Sequence, residues 1–184
     1  MPAVGVNTAV IRQNQILLTL RADFEVWCLP GGGVEAHESL AEAAIRETRE
    51  ETGLEVRLTR LVGLYSRSNW LGDSLHVPVF AAEIVGGELK RQESEVLELR
   101  FFPRQALPEA MLLGHRQRAL DALDGVSGAV WMFDVEWPFE AGLSRAGLYA
   151  LCENSGLPKA EFYARYVGRL KPGGARRELG GDVP

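Results

Sequence analysis

No run of about 18 apolar residues occurs anywhere in the 184-residue chain, so no segment reads as a membrane-spanning helix. The opening residues MPAVGVNTAVIRQNQ lack a basic region followed by an apolar core. No secretory signal is therefore expected, and the cytoplasm is the expected compartment. Cysteine is scarce. Cys28 and Cys152 lie far apart, form no metal-ligand spacing, and read as reduced buried thiols rather than a disulfide framework. Positive charge is not in excess either. A net charge of −5 argues against non-specific binding to a nucleic-acid backbone, so no nucleic-acid partner is expected. It leaves room for a small anionic substrate, because a bound cation inverts the local field. The basic residues near the end, Arg165, Arg169, Lys171, Arg176 and Arg177, read as a solvated helix face and tail. Internal repeats and low-complexity tracts are absent as well.

What is present is an ordinary globular composition, 46% hydrophobic and 24% charged, long enough for one domain with a core and a small appendage. VGVNTAVIRQNQILLTLR reads as two strands around a turn at Gln13 to Gln15, and VWCLP as a third, closed by Pro30. A helix follows from about Ser39 to Thr52. EVRLTRLVGLYSRS and LHVPVFAAEIV read as strands separated by the loop NWLGDS, LELRFF as another strand, and GHRQRALDAL as a short helix. This order predicts an α+β fold, an α-β-α sandwich around a mixed central sheet. A composition change near 124–128 divides the chain into a domain over 1–125, an extension over 126–171 and a Gly- and Pro-rich tail over 172–184. The extension reads as an aromatic strand and two amphipathic helices. One carries a stripe of Leu148, Leu151 and Cys152, the other a stripe of Phe162, Tyr166, Val167 and Leu170. Such stripes predict packing on the core or on a second copy in a homodimer; the other reading is a lid over the substrate.

The densest chemistry lies in LPGGGVEAHESLAEAAIRETREETGL, residues 29–54, where six glutamates follow a triple glycine. Ser39 and Glu42 fit a capping box, and Gly53 sits where a left-handed C-terminal cap belongs. At about 100° per residue, Leu40, Ala41, Ala44, Ile45, Thr48 and Thr52 form the expected buried face, with Glu47 and Glu51 at its rim and Glu50 further out. Carboxylates four residues apart repel on an isolated helix by a few tenths of a kcal/mol. A hard divalent cation reverses that sign, since it takes oxygen ligands from a few carboxylates. Arg46 precedes Glu50 by one turn and can pair with it. Gly31, Gly32 and Gly33 let backbone approach a ligand without Cβ obstruction. A solvated, salt-bridged helix is the competing reading for the glutamates alone.

Joined at fixed spacing, Gly32, Glu38, Arg46, Glu47, Thr48, Glu50, Glu51, Gly53 and Leu54 match G-x5-E-x7-R-E-U-x-E-E-x-G-U, where U is a bulky aliphatic. The pattern resembles the signature of the Nudix hydrolases, with Thr48 in an aliphatic slot as the one departure. The resemblance is tight over 29–54, loose over about 3–123, and silent beyond 126. It implies a sheet between helices and hydrolysis of a nucleoside diphosphate linked to another moiety, with Mg²⁺ or Mn²⁺ as cofactor. It also implies metal ligation by Glu47, Glu50, Glu51 and the Gly31 carbonyl, orientation of these acids by Arg46, and support of the loop–helix junction by Glu38. The proton acceptor comes either from the box, as Glu47 or Glu50, or from a later loop, where RQESEVLELRFF offers Glu93, Glu95 and Glu98. Substrate contacts are expected from Gly31, Gly32, Gly33 and Trp70.

Substrate markers of the subfamilies are missing. Ser68 stands where a proline would suggest ADP-ribose, and Asn69, Trp70 and Leu71 fill the places of a tyrosine that would suggest dinucleoside polyphosphates. A segment typical of NADH pyrophosphatases is absent, and LLTLR resembles the coenzyme A subgroup only in part. A nucleotide pyrophosphohydrolase of nucleoside triphosphate or nucleoside diphosphate sugar type is the reading that remains. The alternative is a noncatalytic nucleotide-binding module of the same fold. Such modules typically lose box glutamates or the arginine, and this chain keeps them.

Overall fold

Gln13 (φ 50°) and Asn14 (φ 57°) both adopt the left-handed region and close the first hairpin. They join β2 (Asn7–Arg12) to β3 (Gln15–Arg21), which pair antiparallel through Ile11–Ile16 and Arg12–Gln15. The computed structural model describes residues 3–71, 73–140 and 142–180. A short β1 (Ala3–Val4) precedes this hairpin, and β4 (Trp27–Cys28) follows it. Next come α1 (Leu40–Thr52), the long hairpin β5 (Leu54–Trp70) and β6 (Asp73–Gly87), then β7 (Val96–Pro103). A 3₁₀ turn at Arg104–Ala106 leads towards α2 (His115–Leu123) and β8 (Ala129–Val135). The chain ends in α3 (Arg145–Asn154), α4 (Lys159–Phe162), a π turn at Tyr163–Val167, and β9 (Leu170–Leu179).

The strands run in the order β4-β3-β2-β6-β5-β8-β9, with β1 beside β6 and β7 beside β3. Parallel pairs (β2–β6, β5–β8) and antiparallel pairs (β5–β6, β3–β7, β8–β9) alternate, so the sheet is mixed, as the sequence predicts. The main core gathers Ile16, Leu18, Leu29, Val62, Tyr65, Val79 and Phe102 from the sheet and Ala119 and Ala122 from α2. A smaller cluster joins Ala43 and Ala44 of α1 to Val6. Among the described residues no helix is long and apolar enough to cross a membrane.

Four expectations need correction. The loop expected at NWLGDS is shorter, because Asn69 and Trp70 still belong to β5 and Trp70 pairs with Asp73. The buried face of α1 consists of Ala43, Ala44, Thr48, Glu51 and Thr52, whereas Leu40 and Ile45 are exposed. The helix docks through its smallest side chains, close enough for the Thr8 hydroxyl to donate to the Ala44 carbonyl at 3.1 Å. Leu151 is exposed, while Leu148, Cys152, Phe162 and Val167 are buried with Tyr163, Phe24 and Val26. Finally, residues 172–179, expected as tail, lie within β9 and take their backbone partners from β8. Pro172 is tolerated there because β9 is an edge strand. Cys28 and Cys152 are both buried free thiols.

Candidate active site

Local signals fix α1 at both ends. Ser39 Oγ accepts from the Glu42 amide at 3.2 Å and Glu42 returns a carboxylate to the Ser39 amide at 2.8 Å, while Gly53 caps the far end at φ 71°. The glycine loop is tied to β2 by Val6 N–H donating to the Gly32 carbonyl and Thr8 N–H donating to the Pro30 carbonyl, each at 2.9 Å. Gly31 has φ 145°, and a Cβ there would overlap the Val6 carbonyl oxygen. A Cβ on Gly32 would meet the Glu47 carboxylate at 2.6 Å. Gly31 is therefore required by close approach of backbone, whereas a side chain at Gly32 would displace the Glu47 carboxylate.

Arg46 organises the acids. Its Nε and NH2 donate to the two oxygens of Glu38 at 3.0 and 2.7 Å, and NH1 donates to Glu47 at 2.9 Å and Glu50 at 3.2 Å. NH2 also donates to the Gly33 carbonyl at 3.1 Å, so one guanidinium links loop and helix. Glu38 in turn accepts from the Glu35 amide at 2.6 Å. Glu51 is only 6% exposed and accepts from the Gly31 amide at 3.2 Å. Burial pushes its carboxyl up to about 8, against the pull of that amide and of Arg21; Glu47 and Glu95 push further in the same direction. Glu47 is also raised, first by burial and then by Glu50 and Glu95, against Arg46. Glu95 thus acts on both box acids. Glu98 is engaged by Arg100 at 2.5 Å, and Glu93 is exposed. The side chain of Trp70 lies outside the described residues.

The donor set suits a hard divalent cation: three carboxylates and backbone carbonyls, with Glu47 and Glu51 both disfavoured as charges by burial and by neighbouring acids. Arg46 holds Glu47 and Glu50 to itself, and among the described residues no three His, Cys, Asp or Glu side chains are grouped at metal-ligand distance.

Beside this cluster opens a cavity of about 270 Å³ that the glycine loop also lines. Sequence reasoning did not find its polar residues: Asn7, Arg21, Asp23, Arg67, His115, Arg118, Arg145 and Tyr149. Arg21 is paired with Asp23 at 2.9 and 2.6 Å, and the Tyr149 hydroxyl donates to Asp23 at 3.0 Å. Arg118 is 3% exposed and donates through NH1 to Asn7 Oδ1 at 2.6 Å. Burial, then the neighbouring Arg67, lowers Arg118 to about 10. Burial and three arginines hold His115 well below the usual imidazole range. One signal was available: in GHRQRALDAL, His115 and Arg118 share the face of Ala119 and Ala122, which is buried.

A family model described as the NUDIX domain matches residues 1–123. The chain is 36% identical over 122 residues to a putative 8-oxo-dGTP diphosphatase of Bacillus subtilis, covering 66% of this chain and 80% of that protein. It is 37% identical over 113 residues to an ADP-ribose pyrophosphatase of Methanocaldococcus jannaschii, covering 59% of this chain and 66% of that one. Among solved structures, a MutT protein from Bacillus halodurans superposes with a TM-score of 0.64 at 27% identity, covering 75% of this chain and 93% of that chain.

Proposed function

The chain belongs to the NUDIX family, and from that premise we propose that it hydrolyses the pyrophosphate bond of a nucleoside diphosphate linked to another moiety, a nucleoside triphosphate or a nucleoside diphosphate sugar. As a family member it is a hydrolase of phosphoric anhydride bonds. The observation that carries the finer reading is the acid cluster. Glu47 lies close enough to raise the proton affinity of the buried Glu51, against a loop where Gly31 has backbone in the place of a side chain. Burial of like charges is unfavourable unless a cation or a proton offsets it.

Glu47, Glu50, Glu51 and the Gly31 carbonyl would hold Mg²⁺ or Mn²⁺, which supplies Lewis acidity to the diphosphate and to the attacking water. This chain's residues do the rest. Arg46 restrains Glu38, Glu47 and Glu50, fixing where their oxygens point. Backbone at Gly31, Gly32 and Gly33 gives the diphosphate room to approach. A carboxylate outside the Arg46 fork is free to take the proton from water, and Glu95 meets that condition while already influencing Glu47 and Glu51. Phosphate release coupled to a nucleotide panel, with and without Mg²⁺, tests the reading. Metal-dependent turnover of at least one nucleotide is expected; silence of the full-length protein across a wide panel favours a noncatalytic nucleotide-binding module.

A further inference from the structure

The C-terminal helices grip one loop of the catalytic domain, residues 22–26 between β3 and β4. Phe24 and Val26 are buried with Leu148, Cys152 and Phe162. The Phe24 ring meets Tyr149 edge-on at 5.5 Å and tilts against Tyr163 at 5.4 Å. Lys159 Nζ donates to the Ala22 carbonyl at 2.9 Å. Between these anchors Glu25 turns at φ 54°, which a residue with a side chain keeps only where its surroundings hold it.

At the start of this loop stands a guanidinium. Arg21, the last residue of β3, lines the cavity together with Gly31, Gly32 and Gly33. Asp23 accepts from its Nε through Oδ1 at 2.9 Å and from its NH2 through Oδ2 at 2.6 Å. Such a fork fixes the plane of a guanidinium as well as its place. NH1 makes no hydrogen bond among the described residues, so it is left for a ligand. The carboxylate is itself held. Phe24 N–H donates to Oδ1 at 2.8 Å, and the Tyr149 hydroxyl donates at 3.0 Å to Oδ2, the oxygen that Arg21 NH2 also uses. A relay Tyr149–Asp23–Arg21 thus runs from α3 into the cavity. The same loop reaches towards the acids by its backbone, where Ala22 N–H donates to the Glu95 carbonyl at 2.9 Å.

We propose that Tyr149 is a positioning residue: through Asp23 it sets the plane of Arg21, which presents NH1 to a phosphate oxygen of the substrate. The extension then serves the reaction from behind a binding group, without closing over the ligand. A planar guanidinium suits a phosphate oxygen, and restraint before binding spares the entropy that binding would otherwise cost. Without the hydroxyl, Asp23 keeps its bonds to Arg21 and Phe24, so Arg21 stays paired but less firmly oriented. The proposal rests on the hydrolase reading for the word substrate; the relay belongs to the free protein.

Tyr149→Phe keeps the ring that packs on Phe24 and removes the hydroxyl alone. For the panel nucleotide that the wild-type protein turns over fastest, KM should rise about 3- to 10-fold, below the scale of a direct charge-assisted bond, with kcat within about twofold. Arg21→Lys keeps the charge and loses the fork, so it should raise KM at least as much, and adding Tyr149→Phe to it should change KM by less than about twofold. Asp23→Asn should reproduce the rise from the middle of the relay. A second readout needs no turnover: the Arg21 Nε–H resonance, assigned by its loss in Arg21→Lys, should exchange with water at least about threefold faster in Tyr149→Phe. An unchanged KM, an effect confined to kcat, independent effects in the double variant, or an unchanged Nε–H exchange rate would each overturn the role of Tyr149. Absence of turnover across the panel sinks the hydrolase reading alone, and the exchange rate then decides the relay.

Discussion

Two clusters of charge sit on either side of one glycine loop, and they are balanced in opposite ways. On the α1 side, Arg46 holds Glu38, Glu47 and Glu50 within 3.2 Å, so negative charge meets its counter-charge inside the chain. Glu51 alone lies deep and outside that fork, raised to about 8 by burial. On the cavity side, Arg118 is buried against the Asn7 side-chain oxygen and the His115 ring, with Arg67 near enough to weaken its hold on a proton. The difference teaches where specificity is to be sought. Acids gathered on one guanidinium are organised before any ligand arrives, yet three carboxylates on a single arginine keep a net negative charge that a cation can offset.

The comparison breaks first at the acids. Glu47→Gln and Glu51→Gln should each reduce metal-dependent turnover by about a thousandfold, the scale of losing several kcal/mol of charge stabilisation at a metal. Circular dichroism should show the fold retained. Near-normal turnover in either variant means that the acid cluster is a salt-bridged surface. Arg46→Lys keeps the charge and loses the fork, so kcat/KM should fall about 10- to 100-fold, as for other groups that orient metal ligands. An equal fall in Arg46→Lys and Arg46→Ala would show that the fork's geometry is what matters and charge alone is not.

Gly31 is the wall common to both clusters. Gly31→Ala places a Cβ against the Val6 carbonyl at φ 145°, and should destabilise the protein by about 1–3 kcal/mol in urea unfolding. An unchanged midpoint would mean that the loop is free to move away from β2.

The smallest effect is a pH dependence on the cavity side. His115 is held well below 6.5 in the folded chain, so its contribution to stability is present above about pH 6.5 and is lost as pH falls, when the unfolded chain takes up a proton that the native one refuses. Between pH 6.5 and 5.5 the loss approaches about 1 kcal/mol. His115→Asn should flatten that part of the stability profile. An identical slope in wild type and variant would mean that the folded chain takes up a proton at His115 as readily as the unfolded one.

The acid side was legible because its signals are local. Capping residues, one glycine at φ 71° and fixed spacing of glutamates mark α1 within a single stretch of sequence. Its buried face was not legible, since hydrophobicity pointed to Leu40 and Ile45 while close docking selected Ala43 and Ala44. The cationic cavity was still less so. Asn7, Arg67, Arg118 and Arg145 come from β2, β5, α2 and α3, and nothing short of the tertiary fold brings them together. Residues 172–179 failed for the same reason: Gly and Pro content speaks for a tail, and only the neighbouring β8 supplies the ladder that makes a strand.

The hydroxyl of Tyr149 resting on Asp23 has a consequence for the order in which this molecule is made. Synthesis delivers the glutamate helix and its glycine loop early, and a nascent chain can already shape that half of the centre. The far wall, with Arg145 and Tyr149, leaves the ribosome only after the strands from β5 to β8. Until then the Arg21–Asp23 pair stands open to water, and a partly made chain has its acid cluster beside a cavity that still lacks its outer side.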